Sequence, residues 1–128
     1  MTHWKPMEWQ TEVDEGSGIR VYRLTGVLTD SRDSFTFIEQ VRTELRSDPR
    51  PVLLDMGGVG QLTSAGVGMV ATIYASAQNA KTALALSGLN PGARRLLQIV
   101  HLLEFIATFE NEAEALVAHP KGDWELRA

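Results

Sequence analysis

The chain has no cysteine among its 128 residues. That excludes disulfides, thiolate metal sites and cysteine nucleophiles, and it is compatible with a reducing compartment. Long apolar runs are missing too, since no segment approaches the roughly 20 residues that cross a bilayer. Met1-Thr2-His3-Trp4-Lys5-Pro6 lacks the apolar stretch of a secretion signal. Positive charge is scarce, with 12 Lys and Arg against 16 Asp and Glu and a net charge of -4. Nucleic acids and acidic membrane surfaces both demand a basic face, so neither is an expected partner. His3, His101 and His119 are scattered without ligand spacing, so no metal or other cofactor is expected. What is present is ordinary globular composition, 44% hydrophobic and 22% charged, on a length that suits one domain with one core. The expectation is a cytoplasmic single domain over 1–128, with its core at about 8–118 between tails 1–7 and 119–128.

Along the chain, apolar periodicity marks the elements. Trp9 to Val13 and Ile19 to Leu24 read as two strands around the turn Asp14-Glu15-Gly16-Ser17-Gly18, and Gly26 interrupts before Val27-Leu28. Asp33 or Ser34 can cap a first helix with Phe35, Ile38, Val41 and Leu45 on one stripe, and Ser47-Asp48-Pro49 stops it. Pro51 to Met56 reads as a central strand, because Val52-Leu53-Leu54 has no alternation and suits burial on both faces. A second helix is expected from about Ser64 to Asn79, then a strand from Thr82 to Leu86. A third helix opens at Asn90-Pro91, with Leu96, Leu97 and Val100 inward. Phe105 to Phe109 reads as the last strand, and Asn111, with Glu114 three positions on, opens a terminal helix. Trp124 lies in a polar tail that either docks or stays loose. Strands alternating with helices predict an α/β fold: a mixed, largely parallel sheet of four to five strands flanked by about four helices.

The chemistry concentrates between Val52 and Gly68. There a buried strand runs into a glycine-rich loop, Gly57-Gly58-Val59-Gly60-Gln61-Leu62, and then into a helix opening Thr63-Ser64-Ala65-Gly66-Val67-Gly68. Ser64, His101 and Asp55 could be drawn as a catalytic trio, but the serine lacks a Gly-x-Ser-x-Gly elbow. Gly66-Val67-Gly68-Met69-Val70-Ala71 matches a dinucleotide fingerprint in letters alone. With a strand ending near Met56 the loop is too long for the tight turn, and no acid follows about 20 residues on. No Lys-Ser or Lys-Thr follows the glycines, so a phosphate-binding loop is also excluded.

Ser64 is left with two readings: a helix cap, which the local pattern favours because serine is among the best N-cap residues, or an exposed phosphate acceptor. Two features pull toward the second. Gly66 and Gly68 each cost a helix roughly 1 kcal/mol against alanine, and with Ala65 they leave the first turn nearly bare, so that another protein can come close. A phosphate at Ser64 would also sit at the positive end of the helix dipole.

From Val21 to Val117 the chain resembles the STAS family, the domain shared by sulfate transporters and bacterial anti-sigma factor antagonists. The resemblance is carried by Leu24-Thr25-Gly26-Val27-Leu28, Val52-Leu53-Leu54-Asp55-Met56, Leu62-Thr63-Ser64-Ala65-Gly66-Val67-Gly68, Leu86-Ser87-Gly88-Leu89-Asn90-Pro91 and Asn111-Glu112-Ala113-Glu114-Ala115-Leu116. It implies a non-enzymatic switch that binds an anti-sigma factor, itself a serine kinase, and that a phosphatase resets. It also implies phosphorylation at Ser64, with Thr63 as a second acceptor, and partner binding through Thr63, Ser64, Ala65, Gly66, Val67 and Gly68. Thr63 stands where the family commonly has aspartate, and Ala65 where it has a second hydroxyl residue. A monomer or weak dimer is expected. The alternatives are a constitutive scaffold in a transporter or stress-signalling complex, in which Ser64 only caps, and a nucleotide- or lipid-binding module.

Overall fold

The computed structural model of the protein describes residues 5–119 and Trp124. His3 and most of the expected C-terminal tail lie outside the described residues. The elements are β1 (Glu8–Val13), β2 (Arg20–Leu28), α1 (Arg32–Ser47), β3 (Val52–Leu62), α2 (Ser64–Asn79), β4 (Leu84–Ser87), α3 (Pro91–Ile99), β5 (Ala107–Phe109) and α4 (Glu112–Ala118). The five strands form one sheet in sequence order. β1 pairs antiparallel with β2, and every other pairing is parallel. The mixed α/β sheet with four helices is therefore the observed architecture.

A sheet whose parallel strands advance in one direction through right-handed crossovers places the crossing helices on one face. That face carries the larger core, where Val52, Leu54 and Met56 of β3 pack with Phe37 and Val41 of α1, Val70 and Ile73 of α2, and Leu97 of α3. On the other face Val21, Leu53 and Ala85 meet Ala115 and Ala118 of α4, together with Trp124. The unalternating Val52-Leu53-Leu54 run thus serves both faces. Trp124 is docked: its side chain is buried and the indole Nε1–H donates to the Ala115 carbonyl at 2.7 Å.

Several boundaries differ from the sequence expectation. β2 continues past Gly26 to Leu28 with register shifts on either side of it. Gly26 has φ +89°, and a Cβ there would collide with the Pro6 carbonyl, so the glycine admits the Lys5–Pro6 segment instead of ending the strand. Met7, assigned to the tail by its position, is buried in the core. Ser31, not Asp33 or Ser34, caps α1 by accepting the Ser34 N–H. That turns Ser34, Phe37, Val41 and Leu45 inward and leaves Phe35 64% exposed. β4 is Leu84–Ser87 instead of Thr82 to Leu86, α3 ends before Val100 and leaves it exposed, and β5 starts only at Ala107 after a 3-10 turn at Leu102–Glu104.

Candidate functional site

The stretch expected as a glycine-rich loop is strand. β3 runs eleven residues, Val52–Leu62, and carries Gly57, Gly58 and Gly60 within it. Gly58 lies opposite Thr25, and a Cβ there would sit 2.6 Å from Thr25 Cγ2, so the close strand approach requires glycine. The extension brings Leu62 level with Leu28, so β2 and β3 end together. α2 begins at once beyond them.

Thr63 is the N-cap of α2. Its N–H donates to the Leu28 carbonyl at 3.1 Å, and its Oγ1–H donates to the same oxygen at 2.9 Å. Oγ1 also accepts the Gly66 N–H at 3.2 Å, which satisfies one of the otherwise unpaired donors of a helix start. The capping role considered for Ser64 therefore belongs to Thr63, whose hydroxyl both donates and accepts inside the fold. Ser64 is the first helical residue and is exposed, and its hydroxyl makes no hydrogen bond to any described residue.

The two helix glycines have different causes. Gly66 is buried, and a Cβ there would strike the Leu28 carbonyl and lie 2.6 Å from Leu62 Cδ1. Internal packing accounts for it. Gly68 is exposed, with nothing within 4 Å of the position a Cβ would take, so the fold sets no requirement for glycine there. The dinucleotide-like letters lie inside α2 and not in a strand–helix turn. Since β3 ends at Leu62 and only Thr63 separates it from the helix, it is the glycines' placement that disqualifies the match, not a long loop.

The drawn trio is not assembled by hydrogen bonds. His101 Nδ1 pairs with Glu104 at 2.9 Å, and Asp55 Oδ1 accepts the Gly57 N–H and the Ser87 hydroxyl. Asn90 caps α3 and donates from Nδ2 to the Val59 carbonyl, which ties the start of α3 to β3. A groove between the first turns of α1 and α2 is lined by Asp30, Phe35, Ile38, Ala65 and Gly68, among others. Sequence reading did not single out Asp30, and it placed Phe35 inward; only the Ser31 cap, which sets the phase of α1, could have signalled the second. Among the described residues there is no group of three or more potential metal ligands, and no helix is long and apolar enough to cross a membrane.

Comparison with known proteins gives a consistent answer. The model of the STAS domain family matches residues 10–115. The anti-sigma F factor antagonist of Paenibacillus polymyxa is 23% identical over 110 residues, covering 86% of this chain and 94% of that protein. An anti-sigma factor antagonist from Mycobacterium paratuberculosis superposes with a TM-score of 0.75 at 18% identity, over 88% of this chain and 93% of its own. The phosphorylated form of the Bacillus cell fate determinant SpoIIAA gives 0.71 at 18% identity, over 88% and 99%. At these identities the structural likeness establishes the fold.

Proposed function

We propose, from the premise that this chain belongs to the STAS domain family, that it is a non-enzymatic bacterial regulator working in the cytoplasm as an anti-sigma factor antagonist. It binds an anti-sigma factor with serine kinase activity through Thr63–Gly68 and the neighbouring loops. The kinase supplies ATP and magnesium, phosphorylates Ser64 and so ends the complex, and a phosphatase restores it. One observation carries this reading: Ser64 stands exposed and unbonded at the start of α2 because Thr63 has taken the cap. An acceptor must present its hydroxyl outward, and this one does so without giving up a structural hydrogen bond.

The rest of the turn supports a release mechanism. Half-buried Ala65 and exposed Gly68 give a surface with almost no side chains, against which a partner can pack closely. A phosphoserine places nearly two negative charges and added bulk in the middle of that contact. In the free protein those charges are solvated and favoured by the helix dipole. In the complex they would be stripped of water, which is costly without a matching cation.

The test is to recover binding partners from native extract and follow the intact mass of the purified chain with and without ATP. A kinase-fold partner and one phosphate mapped to Ser64 are expected. Ser64→Asp should weaken partner binding at least tenfold, about 1.4 kcal/mol, while keeping the fold. A stoichiometric partner with no phosphate in either condition, and equal affinity for Ser64→Asp, would overturn the switch in favour of a constitutive scaffold.

A further inference from the structure

The groove between the first turns of α1 and α2 joins two features that the fold does not explain. Phe35 projects from the first turn of α1 and at 64% is the most exposed large hydrophobic side chain among the described residues, on a helix whose inward stripe is already filled by Phe37, Val41 and Leu45. Across the groove, Gly68 leaves open space where any other residue would place a Cβ. Half-buried Ile38 adds apolar wall. The polar groups of the lining are satisfied internally, because the Ser34 hydroxyl donates to the Thr29 carbonyl and the Thr72 hydroxyl donates to the Gly68 carbonyl at 2.9 Å. They offer an incoming chain no unsatisfied donor. Asp30 is the one ionisable residue among those lining the groove, and it makes no ion pair among the described residues.

We infer that this groove is the anchor of the protein-binding edge, and that its occupant is a partner segment presenting one large aliphatic or aromatic side chain beside a lysine or arginine. The apolar side chain lies between Phe35, Ile38 and Gly68, and the cation faces Asp30. Aromatic residues that become fully desolvated in a contact carry a disproportionate share of its free energy. A carboxylate at the rim selects for a cation and against an acid. The groove borders Ala65 and Gly68, so it is continuous with the first turn of α2. The inference rests on the reading that this edge binds a protein, and it adds where the energy lies and which partner chemistry is chosen.

The experiment uses the full chain as bait for a random dodecapeptide library displayed on phage, followed by affinity measurements on the selected synthetic peptides. Enriched peptides should share a large apolar residue within one helical turn or a few residues of a lysine or arginine. Phe35→Ser should weaken them at least tenfold and Asp30→Asn at least threefold. Selection on Asp30→Lys should turn the preference toward acidic peptides. Both side chains are outside the core, so unchanged melting temperatures should accompany these losses. No enrichment, or peptides that bind Phe35→Ser and Asp30→Asn as tightly as the parent chain, would overturn the inference. The two readings fail separately. Groove peptides with no kinase recruited and no phosphate on Ser64 would sink the switch alone, whereas kinase binding and Ser64 phosphorylation undiminished in Phe35→Ser would sink the anchor alone.

Discussion

The inward and outward sides of the first turn of α2 use the same kinds of residue in opposite ways. Inward, the Thr63 hydroxyl is spent on the Leu28 carbonyl and the Gly66 N–H, and Gly66 is compelled by the carbonyl and leucine it touches. Outward, the Ser64 hydroxyl bonds to no described residue and Gly68 has no neighbour that requires it. A hydroxyl and a glycine on each side therefore separate cleanly into those the fold accounts for and those it does not. Local rules that a folded chain breaks without structural compensation are where function is to be sought. The outward pair meets that description, and the inward pair does not.

Substitution at the two glycines gives the largest contrast. Gly66→Ala forces a methyl into the Leu28 carbonyl and Leu62, and should cost about 2 kcal/mol, in the range of overpacked cores. Gly68→Ala meets open space at an ordinary helical position, so it should raise stability by about 1 kcal/mol. Chemical denaturation of the two variants reads both signs directly. Partner affinity should separate them in the other direction, because the Gly68 methyl stands on the proposed contact and should weaken it. If Gly68→Ala leaves binding intact, close approach at that point is not what the glycine is for.

The adjacent hydroxyls give the next contrast. Thr63→Ala removes the cap and should cost about 1 kcal/mol, with phosphate incorporation at Ser64 preserved. Ser64→Ala should stay within about 0.5 kcal/mol of the parent chain and abolish phosphorylation by the partner kinase. Equal destabilisation by the two would mean that the cap is shared between them and that the division of the turn is wrong.

Which of these residues faces which way was only partly open to sequence. The bounds of α2, the Asn90-Pro91 start of α3 and the Asn111 cap of α4 match the sequence reading, because caps and proline act within one turn. The choice between Thr63 and Ser64 as cap is a one-residue question that neighbouring hydroxyl residues leave undecided. The strand character of Gly57 to Gly60 was hidden because glycine is depleted in strands, and only the pairing of Gly58 with Thr25 across the sheet makes it necessary. Phe35 read as core on apolar spacing. What turned it outward was Ser31 taking the cap and Ser34 turning in to bond the Thr29 carbonyl, a polar contact that hydrophobic periodicity does not register.

The smallest effect is expected on the opposite face of the sheet, and it checks that residues spent on the fold report in stability and not in binding. Arg23 of β2 grips Glu112 of α4 with two hydrogen bonds of 2.8 and 2.6 Å, and also pairs with Glu12. The bonded Arg23 guanidinium holds the Glu112 carboxyl below its ordinary value of 4.5, against the opposing effect of burial. A carboxylate whose pKa is depressed on folding stabilises the protein at pH values above its unfolded pKa. That contribution disappears as pH falls through the lower folded value. Glu112→Gln should therefore cost a few tenths of a kcal/mol, up to about 0.5 kcal/mol, at pH 7, as expected for a partly exposed pair. The difference from the parent chain should shrink as pH falls below 4.5, because protons then bind the unfolded carboxylate first and the folded one only as its lower pKa is passed. Melting temperatures of both proteins between pH 7 and pH 3 measure this, and partner affinity at pH 7 should be the same for both. A stability gap that persists at low pH would assign the loss to packing of α4 and not to the ion pair. A loss of affinity would mean that the α4 face belongs to the partner-binding surface, and that the division between spent and unspent residues does not coincide with the two sides of α2.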